Sequence, residues 1–151
     1  TRPSCSQGRG FQVALLQAST RDTCYLFRLH LTGITPAIIR FLEDKTVPKV
    51  GLSWHDDLLQ LHKRAEFKPG YFIELQDEAK KFGLQDMSLQ KLYANLFHQK
   101  ISKAQRLSNW EASELKDSQM AYAATDAWCC INLYEELLRL KQEGDYELDE
   151  L

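Results

Sequence analysis

An aspartate on the apolar stripe of a long helix is the first residue of this sequence that calls for a chemical explanation. Residues 116–141 read as one helix, and at 100° per residue Cys130, Leu133 and Leu137 fall within about 40° of Asp126. A carboxylate is thus aimed at the core. Tyr122 lies one turn earlier on the same face, so its hydroxyl and the carboxylate can address a common point. An aspartate satisfied by backbone donors or a neighbouring hydroxyl, with Tyr122 filling core volume, accounts for the same pattern. Helix geometry alone leaves both readings open.

A second pair of acids opens another helix in Trp54-His55-Asp56-Asp57-Leu58. Asp56 points nearly opposite the apolar stripe, where an acid in a first turn complements the helix dipole. Asp57 lies about 80° from the stripe centre and can reach a cleft beside the preceding strand. Two inward carboxylates far apart in sequence, each on a helix near strand ends, suit divalent-metal phosphoryl transfer. Hard Mg²⁺ or Mn²⁺ ions take carboxylate oxygens, and two ions about 3.5 to 4 Å apart activate a water and stabilise a leaving oxygen. Such a site normally uses about four carboxylates, so Asp57 and Asp126 are only half of one.

The elements that must hold these residues are legible in outline. Residues 12–19 (QVALLQAS) and 23–29 (TCYLFRL) read as strands, and Arg21 and Asp22 between them suggest a hairpin. Thr35 and Pro36 fit an N-cap and first helical position. Residues 47–52 resemble a third strand, and from Trp54 the period changes to that of a helix ending near Glu66. Residues 71–74 are short and ambiguous. Two helices follow at 77–81 and 88–97, the second capped by Ser88. Residues 98–115, with weak periodicity and several basic side chains, read as a functional loop or irregular linker. Two or three strands are a thin sheet for so many helices in an α/β domain, so a strand is expected to be missing from the front.

The 151 residues, 44% hydrophobic and 26% charged, suit one compact domain over 1–151. No stretch approaches the roughly 18 to 20 apolar residues of a membrane helix, and Thr1-Arg2-Pro3-Ser4 lacks the apolar run of a signal peptide. The expectation is an intracellular protein, cytoplasmic if bacterial. Cys5, Cys24, Cys129 and Cys130 form no C-x-x-C pair, which argues against zinc or a disulfide framework. A net charge of −2 announces no nucleic-acid binder, so any such binding rests on a local basic patch.

The order and spacing of several segments then become specific. Lys49-Val50-Gly51-Leu52-Ser53-Trp54-His55-Asp56-Asp57 resembles the second motif of the DEDDy 3′-5′ exonucleases, the family of ribonuclease D and the Werner syndrome exonuclease domain. Tyr122-Ala123-Ala124-Thr125-Asp126-Ala127 resembles the third. Val13-Ala14-Leu15-Leu16-Gln17, Glu74-Leu75-Gln76-Asp77 and Ser108-Asn109-Trp110 extend the similarity over nearly the whole chain. The resemblance implies a ribonuclease-H-like mixed sheet flanked by helices, with Asp57 and Asp126 as ligands of Mg²⁺ or Mn²⁺, two ions in the complete site. It implies that Tyr122 positions the attacking water, and that the substrate is nucleic acid with a free 3′ end. Asp77 is read as structural.

The family's first motif, Asp-x-Glu, is absent, because no aspartate precedes Asp22 and Asp22 sits in the turn. The expected explanation is a longer parent whose first strand lies before Thr1; a non-catalytic nucleic-acid- or protein-binding module on the same fold is the alternative. Taken by itself, the chain is expected to bind metal weakly and turn over little. Lys100, Lys103 and Arg106, with Lys80, Lys81 and Lys91 upstream, read as a solvated face or as phosphate contacts. Trp54, His55 and Trp110 are the stacking candidates for a terminal base. DNA and RNA substrates are not separated at this level, and no protein partner is indicated.

Overall fold

The computed structural model describes residues 14–85 and 87–144. The readings of residues 1–13, including the start of the first strand and Cys5, lie outside them, as do residues 145–151. Ten elements follow one another: β1 (Leu15–Ser19), β2 (Cys24–Arg28), α1 (Leu29–Thr32), α2 (Pro36–Glu43), β3 (Lys49–Gly51), α3 (Trp54–His62), β4 (Phe72–Glu74), α4 (Leu75–Lys80), α5 (Leu89–Phe97) and α6 (Asp117–Glu143).

Local chemistry sets most of these boundaries. β1 and β2 form the expected antiparallel hairpin, in register from Leu15 opposite Arg28 to Ser19 opposite Cys24, and Thr20 N–H closes the turn on the Thr23 carbonyl at 2.9 Å. Thr35 Oγ1 accepts from Ile38 N–H at 3.3 Å ahead of Pro36, and Ser88 Oγ does the same for Lys91 N–H at 3.3 Å. α6 ends at Gly144, whose φ of 64° lets its N–H reach the Leu140 carbonyl at 2.8 Å.

Residues 71–74 resolve as β4, paired in parallel with β3 from Lys49 opposite Phe72 to Gly51 opposite Glu74. Leu29, expected to end the second strand, opens the short α1 instead, and α3 stops at His62 rather than near Glu66. The expected single sheet is drawn as two ladders, β1-β2 and β3-β4, which share no hydrogen-bonded edge among the described residues.

α6 bridges the two ladders, because its stripe of Ala123, Cys129, Cys130, Leu133, Leu137 and Leu140 is buried along its length. One apolar cluster joins that stripe to α4 and α5 through Leu75, Ala79, Leu89 and Leu92. A second packs β1, α1, α2 and α3 around Leu16, Leu29, Leu42 and Leu61. The third joins Ala14 and Leu15 to Ala123 and Trp110. Cys24, Cys129 and Cys130 are free thiols. No helix among the described residues is long and apolar enough to cross a membrane.

Candidate active site

The cleft between the ladders is where the separated acids meet. It has a volume of about 1020 Å³ and is lined by residues of β1 on one side and β3 on the other, with Asp57, Tyr122, Asp126, Lys103 and Arg106 in its wall. α3 carries Asp57 into it and α6 carries Tyr122 and Asp126. Two helices that are far apart in the chain thus present carboxylates to one volume.

Asp57 is 5% exposed although it is a charged residue in a first helical turn. Asp126 is partly buried, and burial, with the negative charge of Asp57 adding to it, pushes its carboxyl above the usual range. Tyr122 is raised as well, first by burial and then by the charge of Asp126, while the Arg106 guanidinium works in the opposite direction. The phenol therefore keeps its proton near neutrality. These mutual effects tie Asp57, Asp126, Tyr122 and Arg106 into one electrostatic group. No hydrogen bond among the described residues reaches the Asp126 carboxylate, and Cys130 Sγ bonds its backbone carbonyl at 3.4 Å.

The start of α3 is built with care. Gly51 has no side chain because the Trp54 ring lies where one would be; an added Cβ would stand 2.5 Å from it. Trp54 Nε1 donates to the Ile73 carbonyl at 3.1 Å, and its ring meets Phe72 edge-on with centroids 4.8 Å apart. Trp54 lines the cleft, but much of its ring is used in joining β3 to β4.

The other substrate candidates divide. Lys103 and Arg106 reach the cleft, whereas His55 is exposed and outside its lining. Trp110 must be corrected. Only 2% exposed, it packs against Ala14, Leu15 and Ala123, its ring centroid lies 6.1 Å from that of Tyr122, and its Nε1 donates to the Arg106 carbonyl at 3.3 Å. Its faces are already covered by the core, so it supports Tyr122 and Arg106 and leaves no surface for a base.

Two polar residues that the periodicity did not single out, Arg28 and Gln119, hold the irregular segment in place, and a third, Glu74, holds the start of α3. Arg28 donates to the carbonyls of Trp110, Ala112 and Ser113. Buried Gln119 accepts from Lys116 N–H at 2.9 Å and donates to Ser108 Oγ and the Asn109 carbonyl, both at 3.0 Å. Glu74 takes two backbone N–H groups at the start of α3. Nothing in their neighbours' hydropathy marks such partners, which lie up to 85 residues away.

Asp57 and Asp126 supply the hard, anionic oxygens that Mg²⁺ or Mn²⁺ prefers, and their mutual repulsion is what a cation relieves. Among the described residues no group of three or more His, Cys, Asp or Glu side chains is assembled to hold a metal. The donor set fits a divalent ion in type and falls short in number.

Residues 3–141 match the family model described as 3′-5′ exonuclease. The chain is 35% identical over 131 residues to exonuclease 3′-5′ domain-containing protein 2 of Drosophila melanogaster, covering 84% of this chain and 22% of that protein. It is 30% identical over 141 residues to the bifunctional 3′-5′ exonuclease/ATP-dependent helicase WRN of Mus musculus, covering 89% and 10%. The chain thus spans a small part of these relatives' length. In structure it is similar to the Nibbler EXO domain of Aedes aegypti, with a TM-score of 0.80, 18% identity and coverage of 98% and 79%. It is also similar to NrnC of Brucella melitensis with bound Mg²⁺, with a TM-score of 0.73, 24% identity and coverage of 88% and 67%. The fold is the ribonuclease-H-like α/β fold of exonuclease domains.

Proposed function

This chain belongs to the 3′-5′ exonuclease family, and from that premise we propose that its cleft hydrolyses nucleotides from the 3′ end of DNA or RNA with Mg²⁺ or Mn²⁺. The single observation that carries the proposal is the convergence of Asp57, Tyr122 and Asp126 on one cleft from helices that begin 63 residues apart, at Trp54 and Asp117.

In this reading Asp57 and Asp126 hold the metal. Divalent ions held there would supply an acidified water and positive charge for the departing 3′ oxygen. Tyr122, kept protonated by burial and by the Asp126 charge, orients the attacking water through its hydroxyl. Lys103 and Arg106 bring positive charge to the phosphate, and Arg106 does so beside Tyr122. Leu16, Phe27 and Ile38 give the cleft an apolar side, which lowers the local dielectric and strengthens each of these interactions.

About four carboxylates normally serve a two-ion site, so the proposal includes two further acids, the Asp-x-Glu pair of the family's first motif. In this reading a strand carrying them would lie between β1 and β3 and join the two ladders, which share no edge among the described residues. A non-catalytic binding module is the second reading, favoured by the short donor set among the described residues. The enzyme is further proposed to work inside the cell.

A 5′-labelled oligonucleotide incubated with the full-length gene product and Mg²⁺ or Mn²⁺ separates the two readings. The exonuclease reading expects a ladder of products shortened from the 3′ end, abolished by EDTA and restored by added Mn²⁺. Retention of the oligonucleotide with no shortening in either metal would instead establish the binding module.

A further inference from the structure

Glu74 occupies a place that neither the family resemblance nor the catalytic reading assigns. It ends β4 directly opposite Gly51, two residues before Ser53, the N-cap residue of α3. Its Oε1 accepts from Ser53 N–H and its Oε2 from Trp54 N–H, both at 2.8 Å, and Oε1 also takes Gln76 N–H at 3.3 Å. One carboxylate therefore caps the beginnings of two helices, α3 and α4.

α3 depends on this arrangement because its own N-cap is poor. Ser53 stands at φ 63° and ψ 41°, a left-handed conformation that a residue with a side chain adopts only under constraint, and its hydroxyl makes no capping bond. The usual serine cap is absent, and a carboxylate from another strand replaces it. The next hydrogen bond up the helix is Asp57 N–H to the Ser53 carbonyl at 3.4 Å. Asp57 thus sits one turn from the clamped residue, so the direction of its side chain is set by how Ser53 and Trp54 are held. Glu74 also lies near α6: burial first, with the charges of Asp126 and Glu74 contributing, pushes the Cys130 thiol up to about 12. The clamp thus holds the start of α3 and lies within electrostatic reach of Cys130 on α6.

We infer that Glu74 is a positioning residue, fixing the left-handed Ser53 turn so that Asp57 is aimed into the cleft for the metal. Resting on the proposed exonuclease reading, this inference extends it from the groups that would touch metal to the group that orients one of them. A side chain that orients a metal ligand typically affects metal affinity or activity by about 10- to 100-fold.

The test uses the full-length gene product with Glu74→Ala and Glu74→Gln. Hydrogen exchange at the Ser53 and Trp54 amides is expected to accelerate in both variants without metal present. Glu74→Ala is expected to raise the Mn²⁺ dissociation constant about tenfold and lower kcat about tenfold, with KM for an oligonucleotide within about twofold. Glu74→Gln keeps one oxygen acceptor and is expected to fall between wild type and alanine, and it carries the test should the alanine variant fail to fold. Folded variants with wild-type Mn²⁺ affinity and kcat would overturn the inference, reducing Glu74 to a helix cap. Wild-type protein that binds no Mn²⁺ would overturn both this inference and the exonuclease reading, whereas unaltered variants beside a metal-binding wild type would leave the latter standing.

Discussion

Asp126→Asn in the full-length gene product is expected to lower the rate of 3′-end shortening by about 1000-fold or more, equivalent to about 4 kcal/mol of transition-state stabilisation. The substitution keeps the shape of the side chain and removes only its charge. Burial and the Asp57 charge already hold the Asp126 carboxyl above its usual range, so a neutral amide relieves both costs in the metal-free protein. The midpoint of thermal unfolding should therefore stay level or rise while activity disappears. Initial rates on a labelled oligonucleotide, beside an unfolding curve, separate loss of chemistry from loss of fold. A rate within tenfold of wild type would remove Asp126 from the catalytic account.

Asp57→Asn is expected to cost a similar factor, and the double variant is the more informative measurement. Independent carboxylates would multiply their effects, giving a combined loss of about a million-fold. Two ligands of one metal site act as a unit, so the double variant should fall no more than about tenfold below the weaker single variant. Asp57 is 5% exposed and faces the same cleft as Asp126, which is the structural reason to expect one unit. Multiplicative losses would mean that the two acids serve different steps or different sites.

What could be read from the sequence followed the range of the interaction. The hairpin at Arg21 and Asp22, the Thr35 and Ser88 caps and the long terminal helix rest on contacts within a few residues, and all of them appear. The Tyr122 and Asp126 pair was legible because a helix of 27 residues gives the apolar period room to declare itself. β4 was ambiguous because three residues carry no period and its parallel partner begins 23 positions earlier. α1, four residues long, was missed for the same reason.

The aromatic side chains mark a different limit. Residue type alone makes Trp54 and Trp110 stacking candidates, because it says that a ring has a face and not what covers it. In the fold one covers Gly51 and the other fills the core beneath Tyr122. Buried Lys49 shows the same limit for charge. Its Nζ donates to the carbonyls of Asp44 and Val47 at 2.7 and 2.8 Å and lies over the rings of Phe41 and Phe72, partners that no helical or strand period predicts. Glu74 belongs with these: its bonds to Ser53 and Trp54 span about twenty residues and leave no trace in local pattern.

The claim at the centre is that Asp57 and Asp126 hold metal together, and it is tested most directly by titrating Mn²⁺ into the full-length gene product without substrate. Wild type should bind, and Asp57→Asn and Asp126→Asn should each weaken binding at least about tenfold while remaining folded. Wild-type Mn²⁺ affinity in both single variants would contradict the claim and return these acids to the role of buried structural groups.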